Sequence, residues 1–169
     1  MADIERISTS TPWEPIAGYS RLVRAGDYVF VSGTTATDER GTVVGLGQMY
    51  MQARQALTNI ETALGRIGLA MKNVVRTRMF VTDISRFGDA ARAHREFFPE
   101  ERPATSMVEV KSLVNSQMMI EIEADAYAPR ARRAASVPAP AARAAIESSP
   151  AKAKAKPAKK PAAKAKKRK

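Results

Sequence analysis

The sequence changes character abruptly at Arg130, and this change limits what the chain can fold into. All Trp, Tyr, Phe, Gly and Met residues lie before Arg130, whereas the segment beyond it consists mostly of Ala, Lys, Pro and Arg. Residues 1–129 carry 14 basic and 16 acidic side chains, a net charge of −2, and residues 130–169 carry 14 basic and one acidic, a net charge of +13. A segment of the second kind buries too little apolar surface to offset its ordering entropy. The sequence therefore predicts a globular domain over 1–129 and a disordered basic tail over 130–169.

The composition excludes several classes of protein. The chain has no Cys and one His, His94, which excludes a disulfide framework, a thiolate nucleophile and a Cys- or His-cluster metal site. No apolar run approaches the roughly 20 residues of a membrane span, and the acidic N-terminus lacks the apolar core of a secretory signal. We expect a cytoplasmic chain with no metal and no membrane insertion.

The domain contains alternating signals for strands and helices. A Gly/Asp turn at 24–27 separates two β-rich runs and predicts a hairpin of Tyr19–Val23 with Tyr28–Ser32. Further strands are predicted at Thr42–Val44, Val74–Thr82, Thr105–Val110 and Met118–Tyr127. Apolar residues at helical spacing predict a first helix, ending near Gly68, with the stripe Ala53, Ala56, Leu57, Ile60, Leu64 and Ile67. A second helix is predicted from Phe87, Ala90, Ala91, His94 and Phe98.

This order of elements predicts an α+β fold with one sheet and both helices packed on one of its faces. The last strand places Met118, Ile120 and Ile122 on one side, which suits the helices, and charged residues on the other. In the strand at 74–82, Arg76 and Arg78 alternate in phase with Val74 and Phe80. A face of mixed charge and aromatic character suits a subunit interface, so the sequence predicts a homo-oligomer whose sheets face each other.

Two features near strand ends are candidates for chemistry. Ser32-Gly33-Thr34 ends a predicted strand, and a glycine there lets a ligand approach the backbone, although the same residues also suit a tight turn. Glu121 lies within an apolar strand, where partial burial would raise its pKa and allow it to move protons. A salt bridge from Glu121 to Arg76 or Arg78 is the alternative.

Two further features are more ambiguous. The run from Arg102 to Ser106 combines a planar cation with two hydroxyls, Thr105 and Ser106, which suits a small carboxylate but also an ordinary surface turn. His94 lies on an apolar helix stripe, and we interpret it as a packed structural residue and assign it no catalytic role.

Taken together, several segments resemble the Rid family of YjgF-type proteins, which includes the enamine and imine deaminases. They are GYSRLVRAGDYVFVSG, QARQALTNIETAL, VVRTRMFVTDISRF, HREFFPEERPATSMVEV and IEIEADA, and they cover about Tyr19 to Tyr127. The resemblance implies a chorismate-mutase-like α+β fold and a homotrimer with ligand clefts at the subunit boundaries. It also implies no metal or organic cofactor, and hydrolysis of 2-aminoacrylate-type enamines and imines to 2-keto acids and ammonia.

The resemblance can be carried over residue by residue. Tyr19 matches the aromatic residue that lines the family's cleft, Ser32 and Gly33 match the backbone site, and Glu121 matches the glutamate that positions water.

Ser106 matches the serine of the family's P-A-R-S run. Thr105 stands where the deaminating members have the arginine that clamps the substrate's carboxylate, which a neutral hydroxyl cannot replace. Arg102 substitutes for that arginine only if its loop turns inward.

The basic tail resembles the carboxy-terminal domain of linker histones and similar tails on bacterial nucleoid proteins. Lysines spaced by Ala and Pro present point charges that bind phosphates without reading sequence. The tail predicts non-specific DNA binding and nucleoid association, with RNA, an acidic protein, an anionic membrane surface or a merely solubilising role as alternatives. A non-catalytic metabolite-binding protein is the alternative for the domain. The nucleic-acid-binding candidates are Lys152, Lys154, Lys156, Lys159, Lys160, Lys164, Lys166, Lys167, Arg168 and Lys169.

Overall fold

The structure is a computed structural model that describes residues 4–9 and 13–129. The predicted basic tail and its ten candidate residues lie outside the described part of the chain, as does the predicted boundary at Arg130. No helix within the described residues is long and apolar enough to cross a membrane.

The described residues form one six-stranded sheet with two main helices, which confirms the predicted α+β class. The strands are β1 (Ile4–Ile7), β2 (Leu22–Ala25), β3 (Tyr28–Thr35), β4 (Val74–Val81), β5 (Ala104–Glu109) and β6 (Ile120–Tyr127). The helices are the one-turn α1 (Trp13–Ala17) and the two longer helices α2 (Met49–Gly65) and α3 (Phe87–Phe97). The spatial order is β1-β2-β3-β6-β4-β5, and all neighbours are antiparallel except β4 and β5.

The core lies between the sheet and α2, which packs on β3 and β6 and is flanked by α3. Five residues of the predicted stripe are buried in α2, namely Ala53, Ala56, Leu57, Ile60 and Leu64, whereas Ile67 lies beyond the end of α2 and is only partly buried. As predicted, β6 alternates between buried residues from Ile120 to Ala126 and more accessible residues from Glu121 to Tyr127. We call the side of the sheet that carries Glu121, Glu123, Asp125 and Tyr127 the outer sheet face.

Two predictions about residues facing the core were wrong. Val74 does not share a face with Arg76, because a register shift between them inserts a β-bulge and turns Val74 into the core. Phe87 begins α3 but is 61% exposed, and Ala93 occupies the buried side of the helix with Ala90. Hydrophobic spacing alone gives no indication of a bulge, since the extra residue reverses the alternation.

Some local elements also differ from the prediction. Thr42–Val44 is not a strand. In this segment only Val43 forms an isolated bridge, to Thr37. The chain turns here because the Asp38 side chain accepts hydrogen bonds from the backbone N–H groups of Arg40 and Thr42. The short elements β1 and α1 were not predicted. The first hairpin strand runs from Leu22 rather than Tyr19, and Ala25 pairs with Tyr28 across the predicted turn.

Candidate functional site

A β-bulge at Ser32 and Gly33 interrupts the pairing of β3 with β6. Val31 pairs with Ala124 and Thr34 with Ile122, so β3 carries one more residue than β6 across this interval. The Ser32 hydroxyl donates to the Ser20 carbonyl oxygen at 2.8 Å, which holds the bulge against the segment before β2. Bulges bend a strand and redirect side chains, and they are common beside active sites. The predicted strand-end site is therefore an irregularity within β3.

The absence of a side chain at Gly33 makes room for the Glu121 carboxylate. A Cβ built on Gly33 would overlap Glu121 Oε1 and lie 2.8 Å from Glu121 Cδ, closer than real contacts allow. Gly33 does not have a positive φ, so the close approach rather than backbone strain requires glycine here. Gly33 and Glu121, predicted separately as candidates, are in direct contact.

We expect Gly33→Ala to destabilise the fold by about 1 kcal/mol, the lower end of the range for overpacking, because the atoms that must move are the end of a flexible side chain. The added methyl must displace the Glu121 carboxylate. Urea denaturation measures the change in the free energy of unfolding. Gly88→Ala in α3 is the matched control, because nothing lies within 4 Å of a Cβ at Gly88 and alanine favours a helix. Equal stability of the two variants would contradict the close packing of Gly33 against Glu121.

The surroundings of Glu121 raise its pKa above the ordinary value. Burial is the largest cause, and the nearby charge of Glu123 adds to it, while the positive charge of Arg21 opposes both. The alternative that Glu121 forms a salt bridge is not supported among the described residues, because Arg78 instead pairs with Glu123 and Asp125. A half-buried carboxyl with a raised pKa holds a proton more readily than an exposed glutamate, which suits a group that accepts a proton from water and returns it.

A buried arginine that sequence reasoning missed lies beside this carboxyl. Arg21 is 8% exposed, and its Nη1 donates to the Gly33 carbonyl oxygen and to Thr34 Oγ1, each at 3.0 Å. Its Nη2 donates to the Tyr19 hydroxyl at 3.1 Å. Arg21 follows Tyr19 by two residues, and this spacing puts two side chains on the same side of an extended chain. That spacing was the available indication in the sequence.

These residues line a cavity of about 1040 Å³, which we call the Gly33–Glu121 cavity. This volume lies at the upper end of ordinary small-molecule sites. The wall is mixed, with a larger apolar share and a set of hydroxyl and amide groups. Asn59 of α2 donates to the carbonyl oxygens of Thr35 and Thr37. The lining includes Tyr19, Arg21, Ser32, Gly33, Thr34, Gln55, Thr58, Asn59, Thr62, Arg66 and Glu121.

The third predicted group of site residues does not line this cavity. Thr105 and Ser106 lie on β5 at the far edge of the sheet, and Arg102 is exposed just before that strand. Two strands, β6 and β4, separate β5 from β3, so three inter-strand steps of about 4.8 Å put the two groups roughly 14 Å apart. A single protomer therefore does not bring Arg102, Thr105 and Ser106 to Gly33.

The Thr105 hydroxyl takes part in a chain of hydrogen bonds within the protomer. Thr105 Oγ1 lies 3.0 Å from the Pro103 carbonyl oxygen and 2.9 Å from Thr77 Oγ1, which lies 2.9 Å from His94 Nε2. The His94 ring also packs on Phe98, with centroids 4.6 Å apart, and burial lowers the pKa of His94. These contacts agree with the interpretation of His94 as a packed structural residue. Within residues 4–9 and 13–129, no three His, Asp or Glu side chains cluster closely enough to hold a metal ion.

Comparison with known proteins relates nearly the whole domain to one family. The profile described as Endoribonuclease L-PSP matches residues 9–128. A similar solved structure is Rv2704 of Mycobacterium tuberculosis, a member of the YjgF/YER057c/UK114 family, which is 42% identical. Its TM-score is 0.67, and the match covers 74% of this chain and 99% of that one.

Two similar relatives carry the RutC name. The 3-aminoacrylate deaminase RutC of Acinetobacter baylyi is 34% identical over 113 residues, which cover 67% of this chain and 89% of the relative. A RutC family protein of Pyrococcus horikoshii is 32% identical over 123 residues, which cover 73% of this chain and 97% of the relative.

Proposed function

The chain belongs to the Endoribonuclease L-PSP family, which includes the YjgF and RutC proteins, and we propose that it hydrolyses small enamines and imines to carbonyl compounds and ammonia. The observation that carries the proposal is the Glu121 carboxyl, whose pKa is raised and which lies over the side-chain-free Gly33 in a large cavity. A relative named as a 3-aminoacrylate deaminase supports the same reaction class.

The proposed reaction needs one group that moves protons. An enamine takes up a proton at its terminal carbon and becomes an iminium ion, whose C=N carbon is electrophilic. Glu121 accepts a proton from a water molecule as the water oxygen bonds to that carbon. Glu121 returns the same proton to nitrogen, and the C–N bond then breaks. Ammonia leaves as the remaining hydroxyl proton passes to Glu121 and the carbonyl forms. General acid–base catalysis by one positioned carboxyl contributes about 10²–10⁴-fold to such a rate.

The other cavity residues have positioning roles in this proposal. The C=N carbon lies beside the backbone of Ser32 and Gly33, where no side chain blocks it, and the Tyr19 ring forms an adjacent wall. Hydrolysis is favoured over RNA cleavage because the one histidine of the chain, His94, does not line the cavity and is bonded to Thr77.

We propose that the chain acts as a homotrimer, with the outer sheet faces turned towards one another. This face exposes Tyr28, Phe30 and Tyr127 beside the Arg78 ion pairs, a mixture of apolar and charged groups that suits an interface. Assembly would also let β5 of one subunit approach the Gly33–Glu121 cavity of its neighbour. In this proposal Arg102, Thr105 and Ser106 act at that boundary, since within one protomer β5 is separated from β3 by two strands.

We expect the full chain to have a solution mass three times that of the 18.4 kDa protomer. Phe30→Glu would bury a charge opposite Asp125 in the proposed interface, so it should reduce the mass towards one protomer. Phe87→Glu is the matched control, because Phe87 is exposed on α3, away from the outer sheet face. Light scattering measures the mass, and a wild-type protomer at working concentration would contradict the trimer.

The activity is tested by generating imines enzymatically from several amino-acid precursors and measuring ammonia and keto-acid release. We expect the purified chain to accelerate release well above the spontaneous rate. Binding of keto acids without acceleration would instead favour the non-catalytic, metabolite-binding function. No acceleration with any precursor would contradict the hydrolase proposal.

A second activity is proposed for residues 130–169 because of their net charge of +13. The ten candidate cations from Lys152 to Lys169 neutralise DNA phosphates and release counterions, which gives binding without sequence preference. Three tails on one trimer would strengthen a weak individual contact through avidity. Cytoplasmic location and association with the nucleoid follow from this proposal.

A further inference from the structure

Arg21 is a buried cation with unused hydrogen-bonding capacity. A guanidinium has five N–H donors. Three of them are used, by the Gly33 carbonyl oxygen, Thr34 Oγ1 and the Tyr19 hydroxyl, and all three acceptors are uncharged. The remaining two donors have no hydrogen-bond partner among the described residues. Arg21 lines the Gly33–Glu121 cavity, so these donors are within reach of a ligand in that space.

The charge of Arg21 is not neutralised by an ion pair within the described part of the chain. Arg78 and Arg92 have a carboxylate within 4.0 Å, whereas no described carboxylate lies within that distance of the buried Arg21. Glu121 offsets the positive charge of Arg21 only weakly and without an ion pair, because the pKa of Glu121 remains raised despite the nearby Arg21. Burying a cation without a counter-ion costs free energy, which a bound anion recovers.

The position of Arg21 suits the carboxylate of a small imino acid. Arg21 lies directly before β2 and opposite the β3 bulge, because the Ser32 backbone N–H donates to the Arg21 carbonyl oxygen at 3.1 Å. Its bond to the Gly33 carbonyl oxygen fixes the guanidinium beside the bulge that Glu121 covers. In a 2-imino acid the carboxylate is bonded directly to the C=N carbon. An anchor for that carboxylate must therefore lie close to the group that activates water.

We propose that Arg21 is the anchor that binds the carboxylate of a 2-imino acid substrate, in place of a cation at Thr105. The Tyr19 hydroxyl accepts a hydrogen bond from Arg21 and keeps its own proton, which it donates to the same carboxylate. Specificity for an anionic substrate thus comes from β2 and its preceding segment rather than from β5. This inference rests on the proposed function and names the substrate class of the same site.

The test compares the binding of a 2-keto acid and its uncharged amide to the full chain. The probes are 2-oxobutyrate and 2-oxobutanamide, which differ in charge and little in shape, and calorimetry measures both dissociation constants. We expect wild type to prefer the carboxylate by about 10-fold to 150-fold, the range for a hydrogen bond to a charged group. Arg21→Gln should remove this preference, and Arg21→Lys should retain part of it. Arg24→Gln is the matched control, because Arg24 bonds Gly26 and Ala128 outside the cavity lining and should keep the preference.

The outcomes separate this inference from the proposed function. A folded Arg21→Gln protein that keeps the carboxylate preference, or hydrolyses imino acids as fast as wild type, overturns the role of Arg21 and leaves the hydrolase proposal intact. An Arg21-dependent preference without hydrolysis overturns only the hydrolase proposal. If Arg21→Gln does not fold, the Arg21→Lys variant provides the test. Its cation is misplaced, so an undiminished preference of this variant for the carboxylate would overturn the role of Arg21 as the anchor.

Discussion

Glu121→Gln is expected to lower kcat/KM for imine hydrolysis by about 10²–10⁴-fold, the contribution of a single positioned acid–base group. Glutamine keeps the size of the side chain and its contact with Gly33 but cannot accept a proton from water. The measurement is keto-acid release from enzymatically generated imines. An Arg21-dependent preference for carboxylates should remain, because Arg21 is untouched. Full activity of Glu121→Gln would show that the chemistry lies elsewhere.

The pH dependence of activity tests the role of Glu121 independently of this variant. Because burial and Glu123 raise the pKa of Glu121, wild-type activity should increase with pH through a midpoint above the ordinary glutamate value. Glu123→Gln removes one of the two causes, so the midpoint should move to lower pH while activity persists. An unchanged midpoint would contradict the assignment of that titration to Glu121.

Stability measurements distinguish loss of the base from loss of the fold. A raised pKa means that the folded state retains the Glu121 proton at pH values where the unfolded chain has released it. The free energy of unfolding therefore decreases as the pH rises from the ordinary glutamate pKa through the raised one. Glu121→Gln removes this penalty, so the variant should be at least as stable as wild type near neutral pH. Its advantage should shrink towards pH 4, which thermal melts at two pH values will show.

Deleting residues 130–169 is expected to abolish DNA retention, the second large effect. The remaining 1–129 domain has a net charge of −2 and should be repelled by phosphates. If about six tail cations contact phosphates, the affinity of the full chain should fall with salt at a log–log slope of about −5. Fluorescence anisotropy of a labelled duplex measures both quantities.

The control for this deletion is a full-length variant in which residues 130–169 have the same composition and charge but a scrambled order. It should bind like wild type, because counterion release depends on the number of charges and not on their order. Replacing the ten candidate cations by glutamine should remove binding. DNA retention by the 1–129 domain would contradict the proposal that the tail carries this activity.

Elements with a continuous apolar pattern could be predicted from the sequence. The alternation in β6 and the α2 stripe from Ala53 to Leu64 follow from one helix packing against one sheet, and both agree with the prediction; only Ile67, beyond the end of α2, does not. Patterns broken by one residue could not be predicted. Val74 enters the core through a bulge, and the strand predicted at Thr42–Val44 is a turn closed by Asp38.

The candidate site was predictable only in its strand-borne parts. Gly33 and Glu121 were singled out separately, and their contact depends on the register of β3 against β6, which spacing in the sequence does not reveal. Arg21 was missed because a lone arginine beside a strand resembles a solvated surface residue until its burial is known. The proposed role of Thr105 and Ser106 requires the proposed trimer, and the pattern of one chain does not place a neighbouring subunit.

A crystal structure of the full chain with 2-oxobutyrate tests the central claim most directly. We expect the ligand in the Gly33–Glu121 cavity, with its carboxylate on Arg21 and Tyr19 and its carbonyl carbon beside Gly33 within reach of a water bound to Glu121. A ligand bound elsewhere, with its carboxylate away from Arg21 and Glu121 facing only solvent, would contradict the account.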